Sequence, residues 1–349
     1  MFQWLALKTL HGTHGNLRTF YYVICLLSFF SASVLADINV AIIFVPIILR
    51  ACKIFDVNPT PLLLGVAFSI NVGSTFTPFS SSENVLIAHE YGLDFAWFMA
   101  NVGPIPLPLV AFTIASVDVA ILRKIGPLDE ERKKLMLEIV APDLVIVDRK
   151  KFLSNAVYFC AILAGFIAMP IEGVPVFAFF VAALLCIVNR IRYSEALKNV
   201  DLKIVFFFIA LFVIVGCMNV AGFFEFVGGQ LQGILSNDLL VTSIVVLLLV
   251  SVLSGVLAQV PTAIVFISLL RTIYGGSQAV PPVIVLTFLL GINIGAGFLP
   301  QGVASSWFIF TTSREEEVEG FTYRKFLSSG IALMVARLGI CALYLALIA

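Results

Sequence analysis

Long apolar runs separated by short polar stretches dominate this chain of 349 residues. A helix needs about 20 apolar residues to cross the hydrocarbon core of a membrane, and several runs reach that length, one of them with its flanks. They lie at 97–122, 152–169, 204–220, 238–258 and 326–348. Strands of a membrane barrel would alternate apolar and polar residues, which these runs do not. The pattern predicts an all-α polytopic membrane protein.

Composition agrees with this prediction. Hydrophobic residues make up 60% of the chain, charged residues 12%, and the mean hydropathy is +1.07. In soluble domains about a quarter of the residues are charged. The formal net charge is zero, so nothing points to a nucleic-acid partner. The six cysteines are scattered without metal-ligand spacing, and we expect no metal centre from them.

Two stretches of the chain repeat each other at one offset of 222 residues. Segment 34–44 returns as 256–266 with six of eleven residues identical, and 70–78 returns as 292–300 with five of nine identical. Shared apolar residues mean little in membrane segments, but the second pair also shares Asn, Gly and Pro. We interpret the pattern as an internal duplication.

Charge predicts the orientation of the two repeats. Segment 123–151 holds eight Lys or Arg against six Asp or Glu, and positive residues mark the cytoplasmic side. We therefore expect a cytoplasmic linker there, between repeat one at 1–122 and repeat two at 152–349, in a multi-pass protein of the cell membrane. Counting spans outward places the C-terminus outside. Five crossings are expected between the paired motifs, and an odd number makes the repeats inverted.

Segments 19–36 and 38–51 are together too short for two full spans with a loop between them. They predict a re-entrant hairpin with its tip at 37–39. Its partner at 238–271 would have its tip at 259–261. Irregular backbone at membrane depth survives only when it is buried in protein or lines a cavity.

The second copied segment predicts a broken transmembrane helix. A helix beginning near Pro61 is interrupted at 71–78, where Gly73 frees the backbone and Pro78 is expected to open a new half-helix. The counterpart interruption falls within 291–306. Two tips and two breaks are thus expected to meet near the membrane midplane.

At these residues the chain resembles the ion transporter superfamily, which includes arsenite and antimonite permeases, sodium/proton antiporters and citrate or dicarboxylate carriers. The first motif of that superfamily, an Asn or Asp pair before an apolar run ending in Thr-Pro, is similar to Asp37 to Pro46, with Val45 in place of Thr. Its second motif is matched in repeat one by Asn71, Gly73, Ser74, Thr77, Pro78 and Asn84. Repeat two keeps Asn293, Gly295, Pro300 and Gly302.

The chain departs from the second motif in the middle of the break. Ser80 and Ser81 replace a Gly-Asn or Gly-Asp pair, and Ser82 with Glu83 replaces a dipeptide that contains proline. In repeat two Leu299 replaces Thr. These departures leave the substrate open.

The resemblance implies a secondary active transporter that works by alternating access. It places substrate and coupling ion between the tips and the breaks. We favour an anion or arsenite-like species coupled to H⁺ or Na⁺, because the break is rich in hydroxyls and the second tip has no acid. The alternatives are a Na⁺/H⁺ antiporter of the same fold and, from another class, a degenerate membrane fragment that transports nothing.

No enzyme is expected, because the apolar segments hold no nucleophile and base pair and no metal cluster. No phosphate-binding GxxxxGK[ST] loop is present, so ATP hydrolysis would need a separate ATPase partner, which stays open.

The expected partners are a small inorganic or organic ion and the lipid bilayer. Resemblance to some members favours a homodimer. No cofactor is expected beyond Na⁺ or H⁺ as the coupling ion.

The candidate site residues are polar or glycine positions at the tips and breaks. They are Asp37, Asn39, Asn71, Gly73, Ser74, Thr77, Ser80, Ser81, Glu83, Asn84, Gln259, Thr262, Asn293, Gly295 and Gly297. A buried Asp37 costs several kcal/mol unless it is paired, so it is a candidate Na⁺ ligand together with Asn71. Its alternative role is to cap the helix that follows, and Asn39 carries the same two alternatives.

The remaining polar candidates also have two interpretations each. Glu83 is a candidate proton carrier, or it extends towards water. The hydroxyls of Thr77, Ser80 and Ser81 suit an oxyanion or a neutral trihydroxide, or they bond back to helix carbonyls. Asn71 and Asn293 can coordinate an ion and also satisfy loose backbone groups. Gly73 and Gly295 are expected to permit the breaks.

The offset also predicts a missing beginning. Repeat two has spans at 152–169, 173–189 and 204–220 ahead of its copied segments, and their counterparts in repeat one would precede residue 1. We therefore expect repeat one to lack its opening helices, through a misassigned start, a fragment or a real shortened form.

Overall fold

The computed structural model describes residues 16–122, 149–188, 202–232 and 238–348, with the isolated positions 4, 8 and 12. Helices and their connections make up these ranges, and no strand occurs in them. The helices are α1 (Leu17–Ala32), α2 (Asp37–Phe55), α3 (Thr60–Gly73), α4 (Ser82–Tyr91), α5 (Phe95–Asn101), α6 (Pro106–Ala120), α7 (Arg149–Ala168), α8 (Val174–Val188), α9 (Leu202–Val220), α10 (Phe223–Gln232), α11 (Leu239–Leu257), α12 (Gln259–Tyr274), α13 (Pro282–Ala296), α14 (Ala304–Glu315) and α15 (Tyr323–Ile348). Most of the linker expected at 123–151 lies outside the described residues.

Four stretches within the described ranges are long and apolar enough to cross a membrane. They are Asp37–Phe55, Ile171–Val188, Leu239–Leu257 and Tyr323–Ile348. Two further helix pairs pass the same test together, bent by 56° between α5 and α6 and by 71° between α9 and α10. These four to six candidate spans confirm an all-α polytopic membrane protein. Because α2 and α11 are themselves long enough to cross, the re-entrant hairpins stay a prediction.

Helix boundaries repeat at the offset found in the sequence. Four helices of repeat one and four of repeat two begin at positions 222 residues apart: Leu17 and Leu239, Asp37 and Gln259, Thr60 and Pro282, Ser82 and Ala304. The caps of the first pair also match, because Asn16 and Asp238 each accept the backbone N–H groups two and three residues further on. The duplication therefore extends to the helix starts, while the inversion stays a prediction.

Both hairpins turn before the positions predicted as tips. In the first, residues 33–36 form the turn and 37–39 open α2. In the second, Ala258 alone separates α11 from α12, with a φ of 71°, and 259–261 open α12. Proline is tolerated in a first helical turn, where backbone N–H groups have no helical acceptor. Pro261 therefore did not mark the tip.

Glycines bring each broken helix close to the first helix of its own repeat. A Cβ at Gly73 would lie 2.3 Å from the Phe29 carbonyl oxygen of α1, and one at Gly295 would lie 2.2 Å from the Ser251 Cα of α11. The two contacts are equivalent, because Gly295 and Ser251 lie 222 residues after Gly73 and Phe29. Gly73 is the last residue of α3 and Gly295 the last but one of α13, so both glycines permit close packing at the edge of a break.

A buried arginine ties three helices together. Arg337 of α15 is 1% exposed, and its Nε and Nη2 donate to Thr113 Oγ1 of α6 at 3.0 and 2.8 Å. Nη2 also donates to the Phe68 carbonyl of α3 at 3.3 Å, and the guanidinium lies 5.5 Å from the Phe68 ring. No carboxylate of the described residues lies within 4.0 Å of Arg337. Two neutral oxygens and one ring therefore hold this charge.

We expect Thr113→Val to destabilise the protein more than Arg337→Met. The first change leaves a buried guanidinium with one acceptor and should cost about 3 kcal/mol. The second removes the charge, while the Thr113 hydroxyl keeps its bond to the Leu109 carbonyl at 2.6 Å. The midpoint of thermal unfolding of purified protein in detergent measures the difference.

The double variant Thr113→Val with Arg337→Met is the control. It should be more stable than Thr113→Val alone, because the charge that needed the hydroxyl is gone. A double variant that is no more stable than Thr113→Val would contradict this account of the buried charge.

Candidate functional site

The candidate site lies where two interrupted helices meet. Residues 74–81 separate α3 from α4, and residues 297–303 separate α13 from α14. Each hairpin packs across to the other repeat, since α2 contacts α14 and α12 contacts α4. Both interruptions are therefore enclosed by helices from both repeats.

Three buried amides join the two interrupted helices. Asn71, Asn84 and Asn293 are each 0% exposed. Asn71 Nδ2 donates to the Asn293 carbonyl at 2.8 Å, and Asn293 Nδ2 donates to Asn84 Oδ1 at 2.8 Å. Asn293 Nδ2 also donates to the Leu289 carbonyl of its own helix at 2.9 Å. The chain of amides thus runs from α3 to α13 and back to α4.

The first break satisfies much of its own backbone. Asn84 Nδ2 donates to the carbonyls of Ser74 at 2.8 Å and Thr77 at 3.0 Å. Ser80 Oγ reaches the same two carbonyls at 2.5 and 2.7 Å. Ser74 Oγ donates to the Asn71 carbonyl at 2.8 Å. These hydroxyl protons are donated to carbonyls at the break, and Ser80 Oγ also accepts from Asn84 Nδ2 at 3.3 Å.

A further hydroxyl ties the first break to the first hairpin. Thr77 Oγ1 donates to the Ser33 carbonyl in the turn before α2, at 2.6 Å. Ser81 Oγ accepts the Asn84 backbone N–H at 3.4 Å and caps α4. In the structure these two side chains therefore bond to backbone groups, and their expected role towards an oxyanion or a neutral trihydroxide stays a prediction.

The first break begins and ends three residues later than predicted. Asn71 to Gly73 are helical, and Pro78 lies inside the break, four residues before α4. Asn71 does not end α3, because its side chain donates to the Asn293 carbonyl in the other repeat. Ser81 has the extended backbone and side-chain acceptor of a good N-cap, so α4 begins after it.

The second break combines close packing with a few hydrogen bonds, among them one from the Gly302 N–H to the Leu299 carbonyl at 3.1 Å. A Cβ at Gly297 would lie 2.7 Å from Asn71 Oδ1, so only a glycine lets this segment approach the amide so closely. The Phe298 ring lies against Gly255 of α11, and its carbonyl lies against Gly330 of α15. A 3₁₀ turn at Pro300–Gly302 then leads into α14.

Asp37 acts on the other repeat. Its Oδ2 accepts the Ser305 backbone N–H at 3.2 Å, in the first turn of α14, whose own N-cap residue Val303 makes no side-chain cap. The alternative role as a cap for α2 is wrong, because Ala36 holds the N-cap position there without a side-chain bond. Asn39 lies two residues further on and is exposed.

Six buried polar atoms around the tips and breaks have no hydrogen-bond partner among the described residues. They are Asn71 Oδ1, Glu83 Oε1, Gln259 Nε2, Asn293 Oδ1, Ser305 Oγ and Ser306 Oγ. Five of the six are oxygens, the atom type that hard cations take as ligands. Buried polar atoms without protein partners also bind ordered water.

The last of the predicted residues and one unforeseen residue complete the site. Thr262 Oγ1 donates to the Ala258 carbonyl at 2.8 Å and supports the first turn of α12. Sequence reasoning missed Arg337, which holds the Phe68 carbonyl one turn before Asn71. The signal was present, since an arginine interrupts the apolar run 326–348.

Comparison with known proteins gives one family. A model of the citrate transporter family matches residues 1–291. A 46 kDa membrane protein of Mycobacterium leprae is 19% identical over 349 residues, which is 99% of this chain and 81% of the relative. An uncharacterized transporter of Mycobacterium tuberculosis is 20% identical over 351 residues, 99% of this chain and 80% of the relative.

A third similarity is to the arsenical pump membrane protein of Escherichia coli K12. It is 24% identical over 273 residues, which cover 76% of this chain and 62% of that protein. By name these relatives are a membrane protein, a transporter and a pump component, and they fit the superfamily that the motifs indicated. Because the family model matches most of its length, this chain belongs to the citrate transporter family of membrane permeases.

Proposed function

We propose that the protein is a secondary active transporter that moves an anion or arsenite-like species coupled to H⁺ or Na⁺ by alternating access. The observation that carries this proposal is the chain of buried amides that joins the two broken helices. Broken helices expose backbone groups and helix ends at membrane depth, where transporters hold substrate and coupling ions. Citrate and arsenical species, named in the family model and in one relative, set the substrates to test first.

Two carboxyl groups suit the coupling ion. The Asp37 side chain accepts a hydrogen bond at the start of α14, and Glu83 lies in the first turn of α4. Glu83 is 4% exposed, and its Oε1 has no partner among the described residues. An ionised carboxylate buried without a partner costs several kcal/mol, so a proton or a bound Na⁺ would neutralise it.

Contacts at the ends of the bundle support inverted repeats. Between α2 and α3, Asn58 Nδ2 and Thr60 Oγ1 donate to the Glu319 carbonyl at 2.7 and 3.1 Å. The equivalent turn of repeat two, between α12 and α13, has a different neighbour. In that turn Ser277 Oγ donates to Glu90, near the end of α4.

Helix α15 separates these two places. It begins four residues after Glu319, and its Tyr344 hydroxyl donates to the Asn101 carbonyl at 2.7 Å. About 30 Å of helix lies between Tyr323 and Tyr344 at 1.5 Å per residue. Asn101 is the last residue of the short α5, which comes directly after α4. Glu90 therefore lies at the same end of α15 as Asn101. Equivalent turns at opposite ends are what inverted repeats require.

We expect the purified chain to move one class of ion in proteoliposomes. Uptake of citrate, uptake of arsenite and Na⁺/H⁺ exchange are measured side by side, with an imposed Na⁺ or pH gradient and with protein-free vesicles as control. Anion or arsenite flux driven by a gradient supports the proposal. Na⁺/H⁺ exchange alone would identify an antiporter, and no flux in any assay would favour a protein that does not transport.

Asp37→Asn should abolish coupling while leaving the protein folded. The asparagine keeps an oxygen for the Ser305 N–H and loses only the charge. The flux measured with an imposed Na⁺ or pH gradient should fall to the flux measured without a gradient. The matched control is Asp94→Asn, which keeps the cap of α5 on the Trp97 N–H away from the breaks. Coupling that survives Asp37→Asn would remove this carboxylate from the ion site.

Asn84→Asp should reduce transport by about tenfold or more, because a carboxylate oxygen replaces the amide donor at the Ser74 and Thr77 carbonyls. The Ser80 hydroxyl has a single proton for these two carbonyls, so the change should cost about 1–3 kcal/mol. The control is Asn101→Asp, whose Nδ2 donates to the Trp97 carbonyl within its own helix. Initial rates of uptake, normalised to folded protein from size-exclusion chromatography, measure the effect. Equal rates for both variants would show that the amide at the break has no special role.

A further inference from the structure

Each hairpin reaches the half-helix of the other repeat at equivalent positions. Asp37 opens α2 and meets Ser305 in the first turn of α14. At the 222-residue offset, Gln259 opens α12 and Glu83 lies in the first turn of α4. Helices α12 and α4 pack against each other, as α2 and α14 do. Gln259 and Glu83 are therefore the counterparts of Asp37 and Ser305.

The two contacts differ in their hydrogen bonding. The first tip contact, from Asp37 to Ser305, is closed by a hydrogen bond of 3.2 Å. At the second tip contact, from Gln259 to Glu83, both side chains are buried, with exposures of 7% and 4%. Gln259 Nε2 and Glu83 Oε1 both lack a partner among the described residues. One is a donor and the other an acceptor, so each can satisfy the other.

We propose that Gln259 donates to Glu83 in the alternate state of the protein, and that the transport cycle exchanges the first tip contact for the second. This inference rests on the proposed function, because alternating access requires two states that close the site in turn. In the structure the first tip contact has its hydrogen bond, and Gln259 Nε2 and Glu83 Oε1 have none. Gln259 and Glu83 are thus positioning residues of the cycle.

The test uses reporter cysteines beside the two contacts, so that the contact residues stay intact. Ala36→Cys with Ala304→Cys reports on the first tip contact, and Ala258→Cys with Ser82→Cys reports on the second. The two pairs are equivalent at the 222-residue offset. The six native cysteines are replaced by alanine or serine in both, and crosslinking yield is measured with a short bifunctional reagent in proteoliposomes.

Opening the first tip contact with Asp37→Leu should raise the yield of the 82/258 pair about tenfold and lower that of the 36/304 pair. A tenfold change corresponds to ~1.4 kcal/mol. Adding Gln259→Leu should abolish the rise. A yield that does not respond to Asp37→Leu, or a rise that survives Gln259→Leu, would overturn the proposal.

Gln259→Asn is the second variant, in case Gln259→Leu does not fold. It keeps a buried amide and shortens the reach by one methylene, so it should also abolish the rise. Citrate and arsenite flux is measured separately, on the chain without reporter cysteines. Absence of flux with the expected crosslinks would refute the transport function, and flux without the expected crosslinks would refute the exchange of contacts.

Discussion

Backbone N–H and C=O groups that leave a helix inside a membrane find no water there, so each must find a partner within the protein. The break at 74–81 meets this constraint with the side chains of Asn84, Ser80 and Thr77. Asn84 is central, because its amide nitrogen holds the loop and its amide oxygen accepts from Asn293. The same residue therefore stabilises the break and connects the two repeats.

The second break uses a different solution to the same constraint. Its segment is pressed between glycines of α11 and α15, with Gly297 against Asn71. The first break is thus held mainly by side-chain hydrogen bonds and the second mainly by packing, although the two correspond at the 222-residue offset. Six buried polar atoms of the tips and breaks have no partner among the described residues. This combination leaves a polar centre inside an apolar bundle, which is the environment that an ion in transit needs.

Much of this arrangement could be predicted from the sequence. Apolar runs marked the helices, and the Asn, Gly and Pro shared by 70–78 and 292–300 marked the duplication, because apolar composition alone does not reproduce them at one offset. The ends of the breaks could not be predicted, since Asn71 and Asp37 bond to residues of the other repeat, more than 200 positions away. Arg337 was overlooked for a related reason, because its acceptors lie on α3 and α6. Local propensity contains no information on such partners.

The turns of the two hairpins differ in their backbone conformation. In the first, residues 33–36 share the reversal of the chain. In the second, Ala258 alone makes it, in a backbone conformation that a residue with a Cβ rarely adopts. The first hairpin therefore reverses the chain without a left-handed residue in its turn, and the second concentrates its backbone strain at one alanine. Of the two, the hairpin with the longer turn is the one whose second helix opens with an acidic residue, Asp37.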